Sequence, residues 1–340
     1  MIKDNSGGKG RKGMRGDSLL GLLVVVVLAL VFHYWGDANG DDAQPAQPVP
    51  ARHEEPPQNV SSREIPETGP AVRFLMQNVE NYFVEGERTR SRYVSSPKPV
   101  AARDAVAKGI ADRKPDIIGL VEVGGEVSLN DLRARLSKQK LEYPYQRVLE
   151  REGEERALAV LSRYPIVQDR STADYPLYGE QNRKMLRGIL DVVVKAPDGR
   201  LFRIIGAHLK SHVADDEAAA DSLRQREAIT LSMYLQKIAR EQPGIPTLVY
   251  GDWNDGPGTP AIRQVEQGVS KDAAMHRLEP TDARGEGWTI YYKSGREYLT
   301  YDMIFVNKAL QSRMTRAKMG VAPPTPKHAS DHRAVWCELH

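Results

Sequence analysis

The chain has 340 residues, of which 40% are hydrophobic and 27% charged, proportions that are usual for a globular protein. This length suits one large domain with an appendage. The formal net charge of +3 is concentrated at the N-terminus, because residues 1–17 hold five basic and two acidic residues and the remainder is balanced. Composition therefore excludes a strongly basic nucleic-acid-binding domain, although a local basic cleft is compatible with it.

The sequence of the first 35 residues predicts a membrane-spanning segment. A basic tail at residues 1–18 precedes an almost uninterrupted apolar run at residues 19–35, and about 17 to 20 apolar residues are needed to span a bilayer as a helix. The basic flank before the run and the acidic residues after it predict a single-pass anchor, with the rest of the chain outside the cytoplasm. The alternative is a cleaved secretory signal, which would release the protein. We favour the anchor because no clear small-residue cleavage motif directly follows the run.

Residues 36–70 are rich in Asp, Gln, Glu, Pro and Ala and poor in apolar residues, a composition typical of a disordered linker. Residues 71–340 are predicted to form the folded domain. This domain contains the only cysteine, Cys337, so internal disulfides are excluded. Its place in an alternating strand indicates a buried structural thiol.

Apolar runs and helical periodicity predict alternating strands and helices along this domain. The strands are expected over 72–77, 117–123, 145–149, 157–161, 186–194, 201–209 and 248–251. Helices are expected over 101–113, from an N-cap at Ser128 onward, over 217–242 and over 261–267. Near the end, 288–292 and 298–306 are predicted to pair with each other, and 334–339 forms the last strand.

Polar residues stand near one end of several of these strands. They are Asn78, Glu122, His208, Asp252 with Asn254, Asp302, and the Asp331-His332 pair. Side chains at positions i and i+2 of a strand point the same way, which predicts that Asp252 and Asn254 project together. A carboxylate beside an amide suits the orientation of a water molecule next to a metal-bound phosphoryl group. The simpler alternative is a strand followed by an Asx-rich turn.

This ordered set resembles the endonuclease/exonuclease/phosphatase superfamily over residues 72–339, and it covers all the usual motif blocks in their usual order. The resemblance implies an α/β fold, a four-layer α/β sandwich of two packed mixed β-sheets flanked by helices, here preceded by the N-terminal transmembrane helix. It also implies an enzyme that hydrolyses phosphodiesters with a divalent cation. Mg²⁺ is the expected ion, and Mn²⁺ or Ca²⁺ could replace it.

The resemblance also suggests a role for each residue of the expected catalytic centre. Glu122 and Asp331 are expected to bind the metal. Asp252 and Asn254 would orient or deprotonate the attacking water. Asp302 would hold His332 in one tautomer. The remaining catalytic residues are two histidines. His208 is expected near the leaving oxygen, and His332 is expected either to contact the phosphate or to act as a base.

Three further residues are predicted to contact the substrate phosphate. Asn78 would position Glu122 and a phosphate oxygen. Arg187 matches a phosphate-contacting position of relatives, although a solvated arginine at a strand end is the alternative. Lys210, two residues after His208, would leave the strand on the same face.

These expectations favour an exported, membrane-anchored nuclease whose substrate is nucleic acid. A phosphatase, or a diesterase for phospholipids or inositol phosphates, is the first alternative. The segment Tyr298-Leu299-Thr300-Tyr301-Asp302 differs from the Trp-Cys-Asp-Arg type of signature found in inositol phosphatases. A catalytically silent binding module is the alternative from another class, and the intact carboxylates and histidines argue against it. The sequence indicates no protein partner.

Overall fold

The computed structural model describes residues 69–86, 97–180, 182–213, 216–293, 295–314, 318–326 and 329–340. Contacts divide the chain after Glu54, and every described residue belongs to the second unit, Glu55–His340. The predicted basic tail, the predicted transmembrane segment and residues 36–68 of the predicted linker lie outside the described residues. Among the described residues, no helix is both long enough and apolar enough to cross a bilayer.

The described part of the chain alternates strands and helices. The strands are β1 (Val72–Tyr82), β2 (Ile117–Val123), β3 (Tyr145–Arg151), β4 (Glu154–Ser162), β5 (Ile166–Asp169), β6 (Leu190–Lys195), β7 (Leu201–His208), β8 (Thr247–Asp252), β9 (His276–Arg277), β10 (Ile290–Tyr292), β11 (Glu297–Leu299), β12 (Asp302–Val306), β13 (Met319–Val321) and β14 (Val335–Leu339). The helices are α1 (Val100–Ala111), α2 (Glu126–Lys138), α3 (Glu217–Glu241), α4 (Pro260–Gln267) and α5 (Lys308–Gln311), with a 3₁₀ turn at Lys271–Ala273.

Two six-stranded mixed sheets form the body of the domain. The first has the order β13-β14-β1-β2-β4-β3, and the second has the order β5-β6-β7-β8-β12-β9. Each sheet has one parallel pair, β1 with β2 and β7 with β8, and its other pairs are antiparallel. Strands β10 and β11 form a separate hairpin. The expected α/β fold of two packed mixed sheets is therefore confirmed.

Alternation along the strands separates the core into an inner and two outer parts. Phe74 of β1 and Tyr250 of β8 belong to the core between the sheets, and their rings lie 5.5 Å apart. Leu75 faces the opposite way and packs with residues of α1 and α2, while Val249 packs with residues of α3 and α4. Helices therefore cover the outer face of each sheet.

Tyr250 fixes the spacing between the two sheets. Its hydroxyl donates a hydrogen bond of 2.8 Å to the carbonyl of Ala159 in the opposite sheet. A Cβ atom on Gly119 of β2 or on Gly206 of β7 would lie 2.7 Å from an atom of the Tyr250 side chain. Two glycines are needed here because the phenol fills the space that their side chains would occupy.

Three predictions about elements are wrong in detail. Helix α2 begins at Glu126 with Gly125 as its N-cap, so Ser128 lies inside the helix and does not cap it. The strand expected from residue 186 begins only at Leu190. The strand expected over 298–306 is broken, because β11 pairs with β10 whereas β12 pairs with β8. Thr289 Oγ1 accepts hydrogen bonds from the N–H groups at the break, those of Tyr301 and Asp302.

Candidate active site

Strand register brings the predicted polar residues to one edge of the molecule. His208, at the end of β7, lies opposite Asp252 at the end of the parallel strand β8. Asp302 lies opposite Asp252 from the other side, because β12 is antiparallel and begins where β8 ends. In the first sheet, Asn78 lies opposite Val121, the neighbour of Glu122. The two sheets thus bring their functional side chains to a shared edge.

Glu122 lies at an irregularity of β2. Its φ of 63° is in the left-handed region, and the register with β4 shifts between Val121 and Val123, so the strand carries a bulge that redirects the side chain. Glu122 Oε2 accepts a hydrogen bond of 3.1 Å from the Asn81 N–H and lies 3.4 Å from Arg156 Nε. The other oxygen, Oε1, faces the imidazole of the nearby histidine, described below.

Asp252 is the buried carboxylate shared by the whole cluster. Asn78 Nδ2 donates a hydrogen bond of 2.9 Å to Asp252 Oδ2, and the Asn254 N–H donates one of 2.9 Å to Oδ1. Burial raises the pKa of Asp252 above its ordinary value, with Asp302 adding to this effect and His332 opposing it. The charged form of a buried carboxylate of this kind is stabilised by a nearby cation or by hydrogen-bond donors.

His332 forms a buried ion pair with Asp302. Its Nδ1 lies 2.6 Å from Asp302 Oδ2, while its Nε2 lies 3.9 Å from Asp252 Oδ2 and 3.8 Å from Asp331 Oδ1. Burial alone would lower the pKa of His332, but the charge and hydrogen bond of Asp302 outweigh it and hold that pKa well above the ordinary value. These surroundings favour the imidazolium form of His332, whose Nε2 lies on the side of Asp252 and Asp331.

The surroundings of His208 favour its neutral form instead. Burial lowers its pKa well below the ordinary value, and Arg187 and Arg156 lower it further. The Nε2 atom lies 3.7 Å from Asp252 Oδ2 and 3.9 Å from Glu122 Oε1, both beyond hydrogen-bonding distance. Among the described residues, Nδ1 finds no hydrogen-bond partner. The neutral imidazole of His208 therefore lies close to Glu122 and Asp252 without a hydrogen bond to either carboxylate.

Within the part of the chain that the structure describes, two overlapping groups of side chains could hold a metal ion. One contains Glu122, His208 and Asp252, the other Asp252, Asp302 and His332, and within each the ligand atoms lie within 4.8 Å of one another. In the second group, Asp302 is already paired with an imidazolium, which would repel a cation. The first group offers two carboxylates around a neutral imidazole, and carboxylate oxygens are the ligands that hard divalent cations prefer. The first group therefore fits a divalent cation better.

Three predicted residues lie around the loop that follows β7. Asn254 has a φ of 49°, and its Nδ2 donates to the Leu209 carbonyl at 3.1 Å. Arg187 is buried and donates to the same carbonyl from Nη1 at 3.2 Å. The Lys210 ammonium donates to the carbonyls of Ser211 and Val213 at 3.0 and 3.1 Å. Because β8 ends at Asp252, strand alternation does not extend to Asn254. Its proximity to Asp252 comes from the turn.

Asp331, the second predicted metal ligand, lies at the rim. Its side chain is 41% exposed, and it belongs to neither group of potential metal ligands found among the described residues. Its N–H donates a hydrogen bond of 3.0 Å to Glu80 Oε2, so Glu80 fixes the start of the terminal motif. Burial and then the charge of Asp331 raise the pKa of Glu80. The role of Asp331 as a ligand stays a prediction.

Sequence reasoning did not assign a site role to Arg156 or Lys98. Arg156 Nε donates a hydrogen bond of 2.7 Å to Asn81 Oδ1 besides lying near Glu122. Lys98 is buried, and although burial lowers its pKa, Glu80, Asp331 and Glu122 each act to raise it. Nothing in the local pattern distinguishes these cations from surface ones. The run Asn78-Val79-Glu80-Asn81 is the sequence signal that marks their surroundings.

Two packed mixed sheets, with a group of buried carboxylates and a charged histidine at their shared edge, define a hydrolase centre. The chain belongs to the Endonuclease/Exonuclease/phosphatase family, whose sequence model matches residues 78–332. That family covers metal-dependent nucleases and phosphodiesterases or phosphatases. The match includes Asn78 as its first residue and His332 as its last.

Solved structures support the same fold. The structure is similar to a beta toxin from Staphylococcus aureus, with a TM-score of 0.58 and 18% identity over 78% of this chain and 99% of that one. It is similar to an endonuclease/exonuclease/phosphatase from Bacteroides vulgatus, with a TM-score of 0.56 and 18% identity over 80% and 99%. For TDP2 of Caenorhabditis elegans the TM-score is 0.55, with 16% identity over 79% and 97%. Among curated proteins, no significant match is found.

Proposed function

We propose that this protein is a divalent-metal-dependent phosphodiesterase that cleaves nucleic acid. The observation that carries the proposal is the arrangement around Asp252, which has a potential cation site with Glu122 on one side and the His332 imidazolium on the other. Phosphodiester hydrolysis needs both features, because the anionic substrate must be neutralised and a water molecule must be activated.

The residues that would hold the cation are Glu122 and Asp252, with the neutral His208 beside them. We propose Mg²⁺ as the ion, since oxygen ligands with open water positions suit it, and Mn²⁺ or Ca²⁺ could replace it. When bound, the ion would neutralise phosphate charge and make water more acidic. Asp331 at the rim is proposed as a further ligand.

The side chains of the chain would divide the remaining work. Asp252 orients the attacking water and accepts its proton, while Asn78 and the Asn254 N–H hold the carboxylate in place. His332, charged because of Asp302, donates a hydrogen bond from Nε2 to a phosphate oxygen. His208 is placed near the leaving oxygen and acts there as a hydrogen-bond donor.

Arg187, Asn78 and Lys210 are proposed phosphate contacts. Arg187 supplies a fixed positive charge beside the Leu209 carbonyl. For Lys210 to reach a phosphate, its ammonium must exchange its two loop carbonyls for phosphate oxygens, which is favourable because hydrogen bonds between charged partners are the stronger ones.

A substrate panel tests the proposed function. Plasmid DNA, single-stranded RNA, phospholipid vesicles and inositol phosphates are each incubated with the purified domain in Mg²⁺ and in EDTA. We expect hydrolysis of nucleic acid that EDTA abolishes and Mg²⁺ restores. Faster hydrolysis of lipid or inositol phosphates would replace the nuclease assignment with the alternative diesterase or phosphatase. Absence of turnover on every substrate would favour the silent binding module.

We also propose that residues 19–35 anchor the protein in the cell membrane with the domain outside the cytoplasm, or release it if they are cleaved. The proposal rests on the apolar run and its basic flank. A topology reporter fused after His340 is expected to be active only in the exported compartment. A cytoplasmic signal would contradict the proposed location without affecting the proposed chemistry.

A further inference from the structure

An exposed cluster of aromatic side chains lies on the hairpin formed by β10 and β11. Tyr291 and Tyr298 lie opposite each other across the two strands. The Tyr298 residue is 63% exposed, and its ring centroid lies 4.9 Å from that of Tyr291 and 4.7 Å from that of Trp288. Trp288 precedes β10 and is half-buried, with the Arg333 guanidinium 4.1 Å from its ring centroid. Together with the two exposed tyrosines it forms a continuous aromatic surface, which we call the aromatic hairpin. Large exposed rings in contact with one another indicate a binding surface.

The base of the aromatic hairpin is attached to the catalytic ion pair. Ile290 forms a β-bridge with His332, and the Thr289 carbonyl accepts a hydrogen bond of 2.7 Å from the Arg333 N–H. The Thr289 hydroxyl oxygen accepts one of 3.0 Å from the Asp302 N–H. Tyr291 follows Ile290 directly, so its Cα is about 3.8 Å from that of the residue bridged to His332. The base of the aromatic hairpin is therefore fixed to residues that flank the proposed phosphate site.

The chemistry of this hairpin favours a polymer of nucleotides over a lipid surface. The large hydrophobic residues exposed on its two strands are all tyrosines, namely Tyr291, Tyr292 and Tyr298, and the exposed Glu297 is the one acidic residue of the two strands. The turn between the strands carries the exposed cations Lys293 and Arg296. A turn that enters a bilayer would instead present apolar side chains. Phenol rings with adjacent cations suit single-stranded nucleic acid, whose bases stack on aromatic rings while its phosphates attract cations.

We propose that the aromatic hairpin stacks unpaired bases next to the scissile phosphate and makes the enzyme prefer single-stranded nucleic acid. This inference rests on the proposed function and names its substrate class. In a duplex, each base is already stacked and paired, so it must be unpaired before it can reach Tyr298. A single strand presents its bases without that cost, and stacking is tolerant of sequence because every base has a flat face.

The test compares four substrates in Mg²⁺: a single-stranded oligonucleotide, the duplex of the same sequence, an abasic strand of equal length, and anionic phospholipid vesicles for binding.

In the Tyr298→Ala protein, the kcat/KM advantage of the base-bearing strand over the abasic strand should fall about tenfold, the effect of about 1.4 kcal/mol of lost stacking. The change should appear in KM. Tyr298→Phe should keep the advantage, because its ring remains. Tyr145→Ala, an exposed tyrosine on β3, is the matched control.

Each outcome decides between alternatives. An equal loss on base-bearing and abasic strands would overturn the proposal, because Tyr298 would then act through the catalytic centre. A larger loss of vesicle binding than of oligonucleotide cleavage would assign the hairpin to a membrane surface instead. If the parent protein cleaves diesters and Tyr298→Ala changes nothing, the proposed function stands and this subsite is wrong. A parent protein inactive on every diester in Mg²⁺ would reject both.

Discussion

The two sides of Asp252 are built differently although each contains one carboxylate and one histidine. On one side, His208 Nε2 lies 3.9 Å from Glu122 Oε1 and 3.7 Å from Asp252 Oδ2, both too long for hydrogen bonds. On the other side, Asp302 and His332 meet at 2.6 Å. In the first arrangement the carboxylate oxygens and the imidazole do not bond to one another, so they can serve as ligands of an ion. In the second arrangement the carboxylate fixes a charged imidazole. The same residue types therefore serve two purposes, depending on whether they contact each other.

The largest effect is expected from Asp252, which belongs to both sides. Asp252→Asn keeps the size of the side chain but removes the basic oxygen, so turnover should fall by roughly 100- to 10,000-fold, the usual range for a positioned general base. Circular dichroism should show an intact fold. Hydrolysis near the parent rate would show that Asp252 does not activate water.

Glu122→Gln tests the ion-binding side alone. Removing its negative charge weakens cation binding, so the Mg²⁺ concentration for half-maximal activity should rise severalfold, while kcat at saturating Mg²⁺ falls less than in Asp252→Asn. A Mg²⁺ titration of initial rates measures both quantities. An unchanged Mg²⁺ requirement would contradict the assignment of Glu122 to the ion-binding side.

Asp302→Asn tests the charged side. In the parent protein the pKa of His332 is held well above its ordinary value, so the ion pair stabilises the fold fully below the unfolded-state pKa of about 6.5 and is lost as the pH rises through the folded-state pKa. In the Asn variant the pKa of His332 should fall, because burial is no longer opposed by the Asp302 charge. An NMR titration of the metal-free protein measures this, with the resonance of exposed His276 as the control. An unchanged titration of His332 would contradict the pairing.

The smallest effect is expected from Tyr250, at the contact between the two sheets and outside both sides of Asp252. Tyr250→Phe removes the hydrogen bond to Ala159 and keeps the ring that fills the space above Gly119 and Gly206. The free energy of unfolding should fall by about 1 kcal/mol, with little change in the Mg²⁺ requirement. Urea denaturation measures the difference, and Tyr145→Phe is the matched exposed control. A loss of activity without a loss of stability would contradict a purely structural role.

The sequence predicts the strand ends of this site better than it predicts the contacts around them. His208 and Asp252 end two strands that are joined by a long helix, so the apolar runs and the helical pattern are sufficient to place these two residues at one edge. Asp302 is not placed in this way, because the pattern predicts one strand from residue 298 to residue 306. By contrast, Glu80 meets the Asp331 N–H across 251 positions of the sequence. Such a contact depends on how two separate turns pack, which local periodicity does not encode.

The same distinction explains the errors in the predicted strands. The apolar pattern continues from Tyr298 to Val306, so it predicts one strand. The break at Tyr301 depends on the Thr289 hydroxyl, a distant group. Similarly, the alternation that relates Asp252 to Asn254 ends with the strand, and the turn at Asn254 depends on a left-handed backbone conformation. Side chains supplied by other elements decide where regular structure stops.

A crystal structure of the domain with Mn²⁺ tests the comparison most directly, because anomalous scattering locates the ion without reference to activity. We predict a peak beside Glu122 Oε1 and Asp252 Oδ2, with His332 still hydrogen-bonded to Asp302. A ligand distance from Asp331 in the same map tests its proposed role at the rim. A peak between Asp302 and His332, or no peak at this edge at saturating Mn²⁺, would contradict the assignment of one side to the ion and the other to the imidazolium.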